Sequence, residues 1–112
     1  MITQFKIFEH YDNNDRLPEV GDYVILNPEE YGEIANNTIG EVVEFLYMTD
    51  FRILYYVYYE NNEDVDRTIY GKTYNVSFDL SRDITTMKDY ILAWSSDKEK
   101  LELIIQANKY NL

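Results

Sequence analysis

The chain has 112 residues, no cysteine and a formal net charge of −11, which excludes disulfide frameworks, thiolate metal sites and cysteine nucleophiles. Apolar residues make up 46% of the chain and aromatic residues 16%, too many for a disordered acidic tail, so we expect one folded domain over residues 1–112. The charge is uneven, because residues 1–50 hold eleven acidic and two basic residues, a net charge of −9, whereas residues 51–112 carry −2. Such a distribution produces a directional field that selects partners.

The first half of the chain predicts two strands joined by an acidic loop. Val20–Leu26 reads as a strand behind a Gly-Asp turn, and it ends at Asn27-Pro28 because proline lacks the donor that a strand ladder needs. Residues 28–37 are predicted to form a long acidic loop. Thr38–Met48 is predicted to be the second strand, with Gly40 marking a bulge or a point of close packing.

The segment Arg52–Glu60 carries the strongest strand pattern of the chain. Its apolar residues alternate, so that one face is predicted to point inward and consists of Ile53, Tyr55, Val57 and Tyr59. The opposite face carries Leu54, Tyr56 and Tyr58. Two interpretations of that face stay open: the C-terminal helix or an N-terminal arm around Phe5–Phe8 covers it, or it is an exposed aromatic patch of the kind enriched at interfaces.

The last third of the chain predicts two short strands and a helix. The strands are Tyr74–Phe78 and Tyr90–Trp94, and Ser96 with Glu99 has the spacing of a helix capping box. Apolar residues then recur at helical spacing, which predicts a helix over residues 97–107 packed on the sheet. The predicted fold class is mostly β with a C-terminal helix (α+β), arranged as a small, strongly bent antiparallel barrel of the SH3 type.

The sequence contains no convincing catalytic or metal-binding pattern. The single histidine, His10, lies in a polar segment without a nucleophile, and Asn62–Asp66 has the alternating oxygens of a calcium loop but lacks its glycine and its final glutamate. Basic residues are outnumbered two to one, which disfavours direct nucleic-acid binding. We therefore expect no enzyme activity, no metal and no cofactor. The N-terminus has no signal-peptide pattern and the longest apolar run is far too short for a bilayer, so we expect a cytoplasmic protein without membrane contact.

The C-terminus supports a narrower comparison. The segments Trp94-Ser95, Lys98-Glu99-Lys100-Leu101-Glu102 and Lys109-Tyr110-Asn111-Leu112 resemble the C-terminus of a group of small phage-encoded SH3-like proteins. Together with Val20–Leu26, Thr38–Glu44 and Val57–Asn61, the resemblance extends over about half of the chain. It implies an SH3-like fold and a phage origin, and hence the cytoplasm of a host cell. It implies no activity, because the group carries no catalytic motif.

These observations favour a non-enzymatic interaction protein that binds a basic partner through an acidic surface. Acidic residues on a rigid scaffold can imitate nucleic-acid phosphates, which makes host nucleases, CRISPR effectors among them, the natural targets of an inhibitor. The candidate partner-binding residues are Asp12, Asp15, Glu19, Asp22, Glu29, Glu30, Tyr31, Glu33, Glu41 and Glu44. Three alternatives remain: a peptide- or Lys/Arg-binding SH3-like module, a phage structural or assembly component, and acidity that serves only solubility.

Overall fold

The computed structural model describes residues 16–60 and 66–110, the last three by their backbone alone. The elements of this part of the chain, in order, are β1 (Tyr23–Leu26), α1 (Pro28–Tyr31), a 3₁₀-helix (Gly32–Ala35), β2 (Gly40–Tyr47), β3 (Arg52–Tyr58), β4 (Arg67–Ile69), β5 (Lys72–Tyr74), β6 (Val76–Ser81), α2 (Ile84–Met87), β7 (Ile91–Ser95) and α3 (Lys98–Tyr110). The segment Phe5–Phe8 and most of Asn62–Asp66 lie outside the described residues.

The strands form one large sheet and one hairpin. The five-stranded sheet has the order β6-β3-β2-β1-β7, all neighbours are antiparallel, and β4 pairs with β5 in a separate two-stranded hairpin. This confirms the predicted mostly-β fold with a C-terminal helix. Among the described residues the two outermost strands, β6 and β7, do not pair with each other, so the sheet is open there and the SH3-like barrel stays a prediction.

The alternation predicted for β3 is confirmed. Ile53, Tyr55, Val57 and Tyr59 are buried, whereas Leu54, Tyr56 and Tyr58 on the other face are half-buried. We call the face that carries the buried set the core face, because it packs against Val24, Leu26, Val42, Phe78 and Leu80 of the neighbouring strands in the main core. The opposite face carries Tyr23, Glu41, Glu44, Tyr56 and Tyr58, and we call it the tyrosine face.

Gly40 is a point of close packing. A Cβ atom at this position would lie 2.5 Å from Val57 Cγ1 and 2.7 Å from Tyr59 Cζ, so no larger residue fits without movement of the core. The register irregularity of β2 lies between Val42 and Glu44. The bulge of this strand is therefore not at Gly40.

The prediction of a loop over residues 28–37 is wrong, because two short helices occupy most of it. Asn27 caps α1, since its side-chain oxygen accepts a hydrogen bond from the Glu29 N–H at 3.0 Å, and Pro28 occupies the first turn. The 3₁₀-helix follows directly and buries Ala35. The sequence Asn-Pro-Glu-Glu is in fact a helix-start signal, with a capping residue, a proline and two acids in the first turn.

The predicted C-terminal helix is confirmed, and it has its own small core. Leu101 and Ile104 are buried and pack against Ile25 of β1 and Ala93 of β7. The cap differs from the prediction: the Glu99 N–H donates to Asp97 Oδ1 at 3.0 Å, so Asp97, one residue after Ser96, caps the helix. The aspartate wins because the helix begins at Lys98, which puts Asp97 in the capping position.

Candidate protein-binding surface

The candidate acidic residues do not form one continuous surface. Glu29, Glu30 and Glu33 are exposed on α1 and the 3₁₀-helix, a segment that packs on the core face of the sheet through Tyr31. Glu41 and Glu44 lie on β2 and point to the tyrosine face. The sheet thus separates the two groups. Asp12 and Asp15 lie outside the described residues.

Asp22 has a structural role and does not belong to an accessible acidic surface. It is only 3% exposed, and its carboxylate accepts hydrogen bonds from Arg16 Nη1 at 2.5 Å, Arg16 Nη2 at 3.1 Å and the Glu19 N–H at 2.8 Å. The hydrogen bond to Asp22 raises the pKa of the Arg16 guanidinium. Because the pair fixes residues 16–19 against β1, the placement of Asp22 among partner-binding residues is corrected here.

Tyr31 is likewise part of the packing. Its ring centroid lies 5.2 Å from that of Phe78 and 6.3 Å from that of Tyr90, and burial raises the pKa of its phenol. The tilted ring geometry is typical of aromatic packing in cores. Tyr31 therefore anchors α1 to the sheet and offers little area to a partner.

The structure brings together a group of residues on the tyrosine face that the sequence could not place. Glu41 of β2 lies directly between Tyr23 of β1 and Tyr58 of β3 in the strand register. Glu44 lies opposite Tyr56 in the same way. Residues directly opposite each other on neighbouring strands lie close together, so Glu41 has a tyrosine neighbour on each side and Glu44 has one. All five side chains are half-buried.

Two elements stand on the tyrosine face at either side of this group. On one side the β4–β5 hairpin packs on β2 and β3, with the Tyr74 ring centroid 4.8 Å from that of Tyr56 in an edge-on arrangement. On the other side α3 packs on β1 and β7. The helix therefore lies on the same side of the sheet as Tyr56 and Tyr58, and the predicted N-terminal arm Phe5–Phe8 lies outside the described residues, so both interpretations of this face stay open. Glu41 and Tyr58 belong to the two central strands that the hairpin contacts, next to the strand β1 on which the helix packs.

A tight turn shapes the hairpin. Tyr70 and Gly71 both have positive φ values, 50° and 77°, as the two-residue turns of the I′ type require. Gly71 takes its positive φ at no steric cost, whereas Tyr70 is an unusual residue for the first position of such a turn. Tyr70 is 74% exposed at the tip of the hairpin.

Two lysines of the chain contact the glutamate and tyrosine side chains of this surface. Lys72 Nζ of the hairpin lies 3.6 Å from Glu44 Oε2, and Lys98 Nζ of α3 lies 5.9 Å from the ring centroid of Tyr23. Both contacts are of the kind that tyrosine and carboxylate groups offer to an ammonium or guanidinium group. Among the side chains of residues 16–60 and 66–107, the carboxylate of Glu41 forms no ion pair.

Other kinds of site find little support in the described part of the chain. Its aspartate and glutamate side chains include no group of three placed to hold a metal ion. None of its helices is both long and apolar enough to cross a membrane. No family model, curated protein or solved structure matches the chain. The surface geometry therefore carries the functional argument.

Proposed function

We propose that this protein is a non-enzymatic interaction protein that binds a basic segment of a partner protein on its tyrosine face. The observation that carries the proposal is the row Tyr23–Glu41–Tyr58, in which two phenol rings flank a glutamate without an ion pair among the described residues. A lysine or arginine bound at this row would meet a carboxylate and the faces of aromatic rings at the same time. Tyrosine also offers a large contact area at a low entropy cost.

The net charge of −11 supports the same class of partner. A strongly negative protein attracts basic surfaces over long distances and repels nucleic acid and other acidic molecules. The half-buried position of Glu41 and Glu44 strengthens their interaction with a bound cation, because partial removal of water reduces screening.

The biological setting is part of the proposal. The resemblance to phage-encoded SH3-like proteins supports a role in an infected cell, where a basic host protein is bound and inhibited, with nucleases and CRISPR effectors as the natural candidates. In the finer architecture that we propose, the bent sheet is a variant of the SH3-like barrel. Register shifts in β1–β7 and in β2–β3, which bend strands, support this assignment.

The proposal is tested by affinity capture from the lysate of a candidate host bacterium, followed by mass spectrometry and stepwise salt elution. Three baits are compared: the wild-type chain, the Glu41→Lys variant, and a control in which Glu29, Glu30 and Glu33 are changed to lysine. The control alters three charges on the opposite side of the sheet. The captured protein is then purified, and its affinity for each bait and its displacement from labelled DNA are measured by fluorescence anisotropy.

We expect the wild-type chain to retain a basic nucleic-acid-binding protein at low salt and to release it as salt rises. Glu41→Lys should weaken this binding about tenfold or more, since it replaces an attraction by a repulsion at the centre of the proposed surface. The triple variant should weaken it much less, and mainly through the association rate. Equal binding by the wild-type chain and Glu41→Lys would contradict the proposed surface, and failure to displace DNA would remove nucleic-acid mimicry from the proposal.

A further inference from the structure

We infer that the chain has a second docking surface, a groove at the β2–β3 turn that takes an apolar side chain flanked by basic residues of a partner polypeptide. The groove has a volume of about 430 Å³. One wall comes from residues 17–20 and the other from β2 and β3, and its apolar lining includes Leu17, Val20, Phe45, Tyr47 and Ile53. We call it the tip groove.

Exposed apolar side chains are concentrated around the tip groove. Four large apolar side chains at or next to it are exposed: Val20 by 45%, Tyr47 by 58%, Met48 by 54% and Phe51 by 77%. The two other exposed large apolar side chains of the described residues, Tyr70 and Leu103, lie on the hairpin and on α3. Exposed apolar residues on soluble proteins are usually scattered singly over the surface. A cluster of four such residues therefore indicates an interaction site.

The wall formed by residues 16–20 is held in place by buried hydrogen bonds. The Tyr55 hydroxyl donates to the Pro18 carbonyl at 2.9 Å, and Trp94 Nε1 donates to the Arg16 carbonyl at 3.2 Å. The ion pair between Arg16 and Asp22 adds a third attachment. The groove is therefore formed before a ligand arrives, which lowers the entropy cost of binding.

The charges near the tip groove decide what its occupant carries. Arg82 is engaged within the chain, since its guanidinium lies 4.0 Å from the Tyr47 ring centroid and its Nη1 donates to the carbonyls of Thr49 at 3.4 Å and Asp50 at 3.3 Å. Glu19 lines the groove, and its carboxylate forms no ion pair among the described residues. The wall of residues 17–20 therefore offers a negative charge to an occupant with a basic residue beside its apolar one.

A second copy of this chain is a poor occupant for the same reason. Each copy carries a net charge of −11, and the wall of residues 17–20 carries the Glu19 carboxylate. Association through this surface would bring like charges together, which opposes binding. Charge complementarity thus favours a basic partner over self-association.

The tip groove is independent of the surface that carries the proposed function. Phe45 belongs to the main core and Ile53 is buried in it, so the groove opens on the core face of the sheet. Glu44 and Leu46, which alternate with the groove residues along β2, point to the tyrosine face. Variants of one surface should therefore leave the other intact.

The inference is tested with three synthetic peptides and ¹⁵N-labelled full-length protein. The first is acetyl-Gly-Lys-Lys-Leu-Leu-Lys-Lys-Gly-amide, the second replaces both leucines by serine, and the third replaces all lysines by glutamate. Affinities are measured by NMR titration and calorimetry for the wild-type chain and for Val20→Ser, Tyr47→Ala and Glu19→Gln. Leu103→Ser is the matched control for loss of an exposed apolar side chain, and Glu41→Gln is the control for the other surface.

The leucine peptide should bind and shift the amide signals of residues 17–20 and 45–53. The serine peptide should bind at least about tenfold more weakly than the leucine peptide, because a buried leucine supplies much of the affinity. The glutamate peptide should not bind. Val20→Ser and Tyr47→Ala should each weaken the binding of the leucine peptide about fivefold or more. Glu19→Gln should reduce both the affinity for this peptide and the salt dependence of that affinity. Leu103→Ser should bind as the wild-type chain does, and Glu41→Gln should leave the peptide-induced shifts of residues 17–20 and 45–53 unchanged.

Equal binding of the leucine and serine peptides would overturn the inference, since no apolar side chain would then be recognised. Unchanged affinity of both Val20→Ser and Tyr47→Ala would overturn it as well. Two groove variants are used because Val20 is exposed and belongs to neither core. Its substitution therefore keeps the test valid if Tyr47→Ala disturbs the fold. Loss of binding in Glu41→Gln alone would place peptide recognition on the tyrosine face, which supports the proposed function and rejects the tip groove.

Discussion

The buried pair of Arg16 and Asp22 should account for a large share of the stability of this domain, and Asp22→Ala tests this. The substitution removes three hydrogen bonds to a carboxylate whose side chain is only 5% exposed: two from the guanidinium and one from the Glu19 N–H. Breaking a buried ion pair typically costs about 3–5 kcal/mol. The Arg16 side chain is 35% exposed and can regain water, so the lower end of that range, about 3 kcal/mol, is the expected loss.

The free energy of unfolding is measured by urea denaturation followed by circular dichroism. A loss of about 3 kcal/mol corresponds to a fall of about 1.5–2 M in the urea midpoint for a domain of this size. Asp22→Asn should lose roughly half as much, because it keeps the shape and one acceptor but not the charge. The structural reason for the loss is specific: residues 16–19 would no longer be fixed to β1.

The chain offers a matched control in its exposed Arg–Asp pair. Arg52 Nε lies 3.1 Å from Asp79 Oδ1, but the two side chains are 46% and 54% exposed. Asp79→Ala should cost less than about 1 kcal/mol, since exposed pairs contribute little. The reasoning is refuted if Asp22→Ala and Asp79→Ala destabilise the domain equally, or if Asp22→Ala changes the unfolding free energy by less than about 0.5 kcal/mol.

Three further predictions concern the two cores. Gly40→Ala should destabilise the domain by about 1–3 kcal/mol through overpacking against Val57. In the double variant, Val57→Ala should relieve part of that loss. If the two losses measured by urea unfolding are additive, the close contact is contradicted. Burial raises the pKa of the phenols of Tyr55 and Tyr59 in the folded state above about 10, the pKa of tyrosine in the unfolded chain. The stability that these two phenols contribute is therefore present below pH about 10. Above that pH it is lost at up to about 1.4 kcal/mol per pH unit for each ring. Their ionisation, followed at 295 nm, should coincide with alkaline unfolding, and titration of all tyrosines near pH 10 in a still folded protein would contradict this. Leu101→Ala should cost about 2–4 kcal/mol and loosen α3, seen as faster amide exchange of the helix, because Leu101 is fully buried between the helix and the sheet; unchanged exchange would show that the helix does not depend on this small core.

The elements with a strong local pattern could be predicted from the sequence. The alternation of Arg52–Tyr58 and the apolar spacing of α3 both correspond to what the structure contains. The two short helices after β1 differ from the predicted loop, although Asn27, Pro28 and the two acids after them carry a helix-start signal; helices of four residues have no room for an apolar repeat. The β4–β5 hairpin has no counterpart among the predicted elements for a similar reason: its strands are three residues long, too short for a periodic pattern.

The candidate surface depended on information that no local pattern contains. The acidity of the first half is a property of composition, but Asp22 is buried, Glu29 and Glu30 lie on one side of the sheet, and Glu41 lies on the other. A shift of one residue in the strand register would have moved Glu41 to the opposite face.

The sequence by itself thus determined the class of fold, the excess of negative charge and the apolar faces of β3 and α3, since hydrophobic periodicity is a property of neighbouring residues. Only the tertiary structure decided that Tyr23, Glu41 and Tyr58 form one row and that Asp22 belongs to Arg16. The physical reason is that strand register and sheet order arise from many weak contacts between segments distant in the chain, and no single segment encodes their sum.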